Sequence, residues 1–257
     1  MALTQRSTAK PAKEEIDGHI QKLMVGVMAV SLPVLTWAFA GEPRIGSISE
    51  SYWRPGWGQT IFLGFLFAIA AFLFAYNGKS TLQMVMSKIA SAAALCVALF
   101  PCDCNCEGRS AEAVKNGLPP LKCGIVLNPH FIAAAVMFII LAFFCYTFYD
   151  RALHEPKAGR KTISSEARFR AGIYAFCGMV IVGVIGLVLV DWLTEDKATQ
   201  IGWIVARWSS FIFYAEATGL VVFGIAWLVA SRTLPVLTAD FERYSLNPYL
   251  SQEEKGN

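Results

Sequence analysis

The sequence has few charged residues and lacks the short motifs of the common enzyme classes. Asp, Glu, Lys and Arg make up 16% of its 257 residues, against about 25% in soluble domains. It contains no H-E-x-x-H zinc motif, no G-x-S-x-G nucleophile motif and no Walker loop. It also lacks a basic run of the kind that binds nucleic acid, so we expect no nucleic-acid partner.

Histidine is scarce, with three residues in the whole chain. The apolar runs hold no pair of histidines suited to haem and no lysine suited to a retinal-type Schiff base. The sequence therefore identifies no cofactor, and whether the protein is an enzyme stays open.

Apolar sequence dominates the chain and comes in long blocks. Hydrophobic residues make up 55% of it, in blocks of about 17–25 residues, the length that crosses a bilayer core about 30 Å thick. We therefore predict an all-α polytopic membrane protein, a bundle of six transmembrane helices over residues 23–40, 60–76, 84–100, 130–149, 169–192 and 203–231. Residues 1–21 and 233–257 are predicted tails that flank one transmembrane domain over residues 22–232.

The distribution of Lys and Arg predicts the orientation of this bundle. The two tails and the connections after the second and fourth helices, with the adjoining helix ends, carry 15 of these residues, and the remaining connections with their helix ends carry 7. Because basic residues favour the cytoplasmic side, we predict that both tails are cytoplasmic. The connections after the first, third and fifth helices then face outward, in a multi-pass protein of the plasma (inner) membrane.

The outward connection between the third and fourth helices is rich in cysteine. It holds four of the seven cysteines in the chain: Cys102, Cys104, Cys106 and Cys123. In an oxidising compartment they would form disulfides, with three pairings open; a soft-metal cluster and free thiols are the alternatives. Their spacing is too tight for a C-x₂-C zinc site. Three further cysteines lie in apolar runs and are expected to be small core residues: Cys96, Cys145 and Cys177.

A candidate catalytic pair lies at the two ends of this cysteine loop. Asn128 and Pro129 form a helix start, which places His130 in the first turn, where the helix dipole favours a neutral ring. A neutral imidazole can act as a base or bind a metal, and Asp103 could orient it. One histidine with carboxylates is a weak zinc site, so we predict no metal. In the alternative, His130 simply bonds to loop backbone.

The connection after the first helix adds two more candidate site residues. Ser49 and Glu50 face the same side of the membrane as His130 in the predicted topology, and could contact a substrate. Ser47 followed by Glu50 also fits a capping box, so Glu50 could instead cap a short helix on the membrane surface. Two tryptophans in this stretch, Trp53 and Trp57, are typical interface anchors.

Glu216 is a carboxylate within the sixth apolar run. With a helix start near residue 203, it would lie about 20 Å along the helix, close to the middle of the bilayer. A carboxylate there is costly and is a functional candidate by default. Ser209 would lie on the same helix face, seven residues earlier. The alternatives are a protonated Glu216 that bonds to a neighbouring helix, and a transporter proton site, which the absence of inverted repeats disfavours.

Three short motifs stand in the order of a known family: SISE at residues 47–50, FPCD at residues 100–103, and His130 at the start of the fourth helix. With the six-helix layout, residues 23–231 resemble the bacterial membrane family of unknown function number 998, related to the Frag/DRAM/Sfk group of eukaryotic six-helix proteins. The bacterial family has no assigned reaction, and the eukaryotic relatives are linked to lipid handling. The cysteines at positions 104, 106 and 123 go beyond the family pattern.

The resemblance implies an outward polar site at the level of the lipid headgroups. It would be formed by Ser49, Glu50, Asp103 and His130, with a membrane lipid as the partner that the protein binds or modifies. The alternative is a non-catalytic accessory or structural subunit, which packs on other membrane subunits through the glycine-rich fifth helix and the phenylalanine-rich second helix.

Overall fold

Six long helices form the described part of the protein. A computed structural model describes residues 18–41, 45–102, 128–154, 165–194 and 211–234, without the side chains of residues 191–194. All six helices are long and apolar enough to cross a membrane, and the described residues contain no strand. The predicted all-α, six-helix fold is therefore confirmed. The helices are α1 Gly18–Phe39, α2 Trp57–Ala75, α3 Thr81–Leu99, α4 Pro129–His154, α5 Ser165–Thr194 and α6 Phe211–Ala230.

Several helices continue beyond the apolar runs that predict them. α4 extends to His154, five residues past the predicted end, and its last turn carries Arg151 and His154. α5 begins at Ser165, four residues early, with Glu166 in its first turn. Basic residues at a helix C-terminus and acidic residues at an N-terminus stabilise the helix dipole. Hydropathy marks only the part of a helix that lies in the membrane, so these polar extensions were missed.

The helices pack in chain order and close into a bundle. Each helix contacts the next one in sequence, α6 packs against α1, and α2 also contacts the short 3₁₀ helix that precedes it. The contact of α1 with α6 is close because two glycines face each other there. A Cβ atom on Gly26 would lie 2.9 Å from the Gly224 carbonyl oxygen. Small residues at such crossings are typical of membrane helix pairs.

Hydrogen bonds and aromatic rings complete the core. Ser91 Oγ donates to the Ala70 carbonyl oxygen across the α2–α3 contact at 2.8 Å. The Trp227 ring lies at the centre of an aromatic cluster, with neighbouring ring centroids at 5.2–5.8 Å: Tyr76, Phe144, Phe148 and Phe223. Between α2 and α3, Gly78 has a φ of 62°, a conformation that glycine adopts without strain.

Candidate functional site

The 45–56 segment lies at one end of the bundle and joins α1 to α2. This end, which we call the outer end after the predicted orientation, also contains the C-termini of α1 and α3 and the N-termini of α4 and α6. The segment contains a five-residue 3₁₀ helix, Ser49–Trp53. It carries the predicted site residues Ser49 and Glu50, and the predicted short helix is confirmed as this 3₁₀ turn.

Glu216 holds the 45–56 segment to the N-terminal part of α6. The Ile48 backbone N–H donates to Glu216 Oε2 at 2.6 Å, and the Ser49 hydroxyl donates to Glu216 Oε1 at 3.0 Å. Both carboxylate oxygens therefore accept a hydrogen bond from the same segment. Two hydrogen bonds from adjacent residues of the segment make Glu216 an anchor for it.

Glu216 lies nearer to the end of its helix than the sequence suggested. The Phe213 backbone N–H donates to the Gly46 carbonyl oxygen at 2.8 Å. Only the N–H groups of a first helical turn are free for such a partner, so Phe213 belongs to the first turn of α6. Glu216 follows three residues later, about 4.5 Å further along the axis. The predicted position near the middle of the bilayer assumed a helix start near residue 203, which lies outside the described residues, so that depth stays a prediction.

Glu50 is held within its own segment. Its Oε2 accepts from the Gly46 backbone N–H at 2.7 Å, and its Oε1 accepts from Arg54 Nη2 at 2.9 Å in an ion pair. The Glu50 N–H in turn donates to Ser47 Oγ at 3.0 Å. The arrangement resembles the predicted capping box, except that the Glu50 carboxylate accepts from the Gly46 backbone N–H and not from that of Ser47. Glu50 therefore closes the turn and positions Arg54.

Two contacts link the 45–56 segment to the other predicted site residues. Trp53 Nε1 donates to the Cys102 carbonyl oxygen at 2.9 Å, and His130 Nδ1 lies 2.8 Å from the Phe100 carbonyl oxygen. The FPCD motif thus contacts His130 directly, and Trp53, three residues after the SISE motif, links the 45–56 segment to FPCD. Ser49 and Glu50, however, bond to Glu216 and Arg54 in place of the predicted histidine site.

His130 is fixed at the start of α4 in a defined tautomer. Its backbone N–H donates to Asn128 Oδ1 at 2.8 Å, which confirms the predicted N-cap. A carbonyl oxygen can only accept, so the contact with Phe100 requires a proton on Nδ1. In the neutral ring Nε2 is then the basic nitrogen. The side chain is buried, with 1% of its surface exposed. The alternative in which His130 bonds to loop backbone therefore accounts for its Nδ1 atom.

Several predicted site residues lie outside the described part of the chain. Among them are the candidate orienting carboxylate, one intramembrane serine and three cysteines: Asp103, Ser209, Cys104, Cys106 and Cys123. Cys102 is described and fully buried, whereas Cys96, Cys145 and Cys177 are free thiols. No disulfide joins two described cysteines, and the predicted pairing in the loop stays a prediction. Within the described ranges no three His, Cys, Asp or Glu side chains are grouped to hold a metal.

Sequence reasoning missed the partners of both glutamates. It identified Glu216 and the SISE motif separately but did not join them, because residues 168 positions apart carry no spacing signal. It also gave no role to Arg54, although Glu50 and Arg54 stand at i and i+4, a spacing at which a carboxylate and a guanidinium commonly pair. That spacing could have revealed the ion pair.

Comparison with known proteins yields no relative for this chain. No family model, no curated protein and no solved structure matches it. The resemblance to the family of unknown function number 998 therefore stays a prediction that rests on the three motifs.

The described part of the outer end combines a hydrogen-bonded backbone segment, the Glu50–Arg54 ion pair and exposed aromatic rings. Trp53 and Trp57 expose 39% and 71% of their surfaces, and the side chains of Arg54 and Glu50 each expose 23%. An exposed indole and a guanidinium at a membrane interface can contact the glycerol, phosphate and amine groups of lipids. The chemistry of this surface is therefore suited to binding at the headgroup level.

Proposed function

We propose that the protein binds the headgroup of a membrane lipid at its outer end, on the surface of the 45–56 segment. The observation that carries the proposal is the position of Arg54. Glu50 holds its guanidinium by a 2.9 Å ion pair, next to the exposed Trp53 and three residues before the exposed Trp57. Tryptophan rings prefer the interface, so the guanidinium is held at the depth where lipid phosphates lie.

The guanidinium is suited to a phosphate for a further reason. Glu50 Oε1 accepts from one of its nitrogens, Nη2, and an arginine side chain has five N–H donors in all. A phosphate accepts two parallel N–H bonds from such a group. Glu50 therefore orients Arg54 for a lipid phosphate, much as an outer carboxylate orients a metal-binding histidine.

Binding is better supported than catalysis at this site. Ser49 and both oxygens of Glu216 bond to each other or to backbone, and both oxygens of Glu50 are similarly occupied. A residue whose polar atoms already hold the fold is poorly placed to take up a substrate proton. Ser49 and Glu50 are accordingly proposed as positioning residues, and His130 is the remaining candidate for acid–base chemistry.

Lipid binding by a charge variant tests the proposal. The full chain would be placed in nanodiscs of phosphatidylcholine with added phosphatidylglycerol, and bound lipid would be measured by native mass spectrometry. We expect Arg54→Gln to weaken binding about tenfold, since a hydrogen bond to a charged group contributes about 1.5–3 kcal/mol. Arg54→Lys should keep part of it. Arg168→Gln, at an exposed position near the other end of the bundle, is the control. Equal binding by wild type and Arg54→Gln would refute the proposal.

The proposed site requires the orientation that the basic residues predict, with both termini cytoplasmic in the plasma (inner) membrane. A reporter that is active only outside the cytoplasm should be inactive when fused to Asn257 and active when fused after Phe100. In that orientation the cysteine loop faces an oxidising compartment. A disulfide involving Cys102 would then fix the loop that Trp53 contacts, and mass mapping of the non-reduced protein would detect it.

A second candidate function, that of an accessory subunit, is favoured by the exposed surface of α5. Gly172, Gly183 and Gly186 have open space where a side chain would project, and Phe176 and Met179 between them are largely exposed. Small residues along one face let another membrane helix approach closely. Co-purification of a stoichiometric partner in mild detergent, lost in Gly183→Leu, would support this function over lipid binding alone.

A further inference from the structure

The charged side chains of the 45–56 segment balance each other. Glu50 and Arg54 are the two charged residues in it, and they form the ion pair with each other. Among the described residues in the half of the bundle nearer to this segment, Arg54 is also the only lysine or arginine. Glu216, which accepts from the segment, adds a second carboxyl group and no positive charge. The described part of this surface therefore has no surplus of positive charge that would favour an anionic lipid.

The ion pair is within reach of a headgroup and can accept further partners. Both side chains are partly exposed. Arg54 Nη2 donates to Glu50 Oε1 at 2.9 Å, and Glu50 Oε2 accepts from the Gly46 N–H at 2.7 Å. A carboxylate has about four acceptor positions and a guanidinium has five donors, so these bonds use part of the capacity of each group. The pair therefore presents one positive and one negative group side by side.

Aromatic rings next to the ion pair add attraction for a cation. The Tyr52 and Trp53 rings have centroids 5.3 Å apart and planes inclined at 68°, so they form two walls at a wide angle. Trp53 is held in place because its Nε1 donates to the Cys102 carbonyl oxygen. Trp57, at the start of α2, is largely exposed. The faces of such rings attract ammonium groups, including the quaternary ammonium of choline. The segment thus combines a carboxylate with rings that favour an ammonium group.

We propose that the lipid bound at the 45–56 segment is a zwitterionic phospholipid, whose headgroup joins a phosphate to an ammonium group. This inference rests on the proposed function and names its lipid class. The phosphate accepts from Arg54, and the ammonium group faces Glu50 and the aromatic rings. An anionic headgroup would satisfy Arg54 but would bring a second negative charge to Glu50, and complementary charge is what gives a site its specificity.

Two common headgroups share this chemistry and differ in how their ammonium group is bound. The quaternary ammonium of choline has no N–H donor, so it would be attracted mainly by the faces of the aromatic rings. The primary ammonium of ethanolamine has three N–H donors and would also donate to Glu50. Phosphatidylcholine and phosphatidylethanolamine are therefore compared separately in the test, with phosphatidylglycerol as the anionic reference.

The test measures which lipid the full chain retains from nanodiscs that contain these three lipids in equal amounts, by native mass spectrometry. We expect phosphatidylcholine, phosphatidylethanolamine or both to be retained over phosphatidylglycerol by about two- to fivefold, the range for a partly exposed ion pair. Equal retention of all three lipids, or preference for phosphatidylglycerol, overturns this inference; headgroup binding itself still stands if retention is lost in Arg54→Gln. Retention of no lipid refutes both.

A change of preference in Glu50→Gln assigns the selectivity to the ion pair. The amide keeps an acceptor oxygen but removes the negative charge, so preference should shift toward phosphatidylglycerol by about two- to fivefold. An equal loss of all three lipids would show that Glu50 is merely structural and would contradict the inference. Asp150→Asn is the matched control, because it removes a carboxylate from another i,i+4 pair, with His154, at the opposite end of the bundle. It should leave the selectivity unchanged.

A second variant tests the same inference at an exposed position, in case Glu50→Gln does not fold. Trp57→Leu keeps an apolar side chain and removes the aromatic face. Since a cation–π contact at an exposed site contributes about 0.5–1 kcal/mol, retention of zwitterionic lipid relative to phosphatidylglycerol should fall about two- to fivefold. An unchanged ratio in Trp57→Leu would contradict the proposed contact between the ammonium group and the aromatic rings.

Discussion

At the scale of single residues, Glu216 is the most informative side chain. Its sequence context marks it as a costly carboxylate in an apolar helix. The structure accounts for this cost, because Ile48 and Ser49 donate to its two oxygens. Glu216 thus connects two segments that are distant in sequence and fixes the outer surface of the protein.

Replacement of Glu216 by glutamine should destabilise the protein by about 1–3 kcal/mol, because the new amide nitrogen cannot accept the hydrogen bond that it replaces. Thermal unfolding in detergent would measure the loss. Ser49→Ala should cost less, about 1 kcal/mol. The double variant should lose less than the sum of the two, since the residues share one contact. Strictly additive losses would show that Ser49 and Glu216 do not interact.

The sequence allowed prediction of individual site residues but not of their pairing. Asn128 as a helix cap and Ser47 with Glu50 as a turn follow from local rules, and the contacts agree. The contact of Ile48 with Glu216 depends on how α1 and α6 pack, which no local pattern encodes. The donor in that contact is a backbone N–H, which every residue other than proline possesses.

At the scale of helices, hydropathy predicted all six described spans. The surroundings of individual glycines distinguish closely packed helix faces from exposed ones. Gly26 and Gly224 lie where α1 and α6 nearly touch. The glycines of α5, in contrast, mostly face open space. The sequence presents all of them alike, as small residues in apolar helices. Only tertiary packing shows which of them the fold requires.

A pair of matched substitutions follows from this difference. In Gly26→Ala the new Cβ would lie 2.8 Å from Leu228 Cγ and 2.9 Å from the Gly224 carbonyl oxygen. Because backbone must move to relieve this overlap, we expect a loss of about 1–3 kcal/mol in unfolding free energy. Gly183→Ala meets nothing within 4 Å and should be neutral or slightly stabilising, as alanine favours a helix. Equal unfolding temperatures of the two variants would contradict the described α1–α6 contact.

At the scale of the whole molecule, the two ends of the bundle differ in chemistry. The outer end carries the carboxylates Glu50 and Glu216 bonded into a short segment. The opposite end, formed by the N-termini of α1, α3 and α5 and the C-termini of α2, α4 and α6, carries the buried cations Lys22 and Arg170, with Lys22 Nζ over the Tyr76 ring. Lys and Arg placement predicts the orientation of the bundle from sequence. The burial of Lys22 and Arg170 was beyond sequence reasoning, since it depends on how residues from several helices turn toward the bundle interior.

The central claim is that Glu216 holds the 45–56 segment in a fixed position over the outer end. Hydrogen–deuterium exchange of the full chain in nanodiscs, compared between wild type and Glu216→Gln, tests it most directly. The Ile48 amide donates to Glu216, so peptides that cover residues 45–53 should exchange slowly in wild type and at least tenfold faster in the variant. Peptides from α3 should be unchanged. Identical exchange of the segment in both proteins would contradict the account.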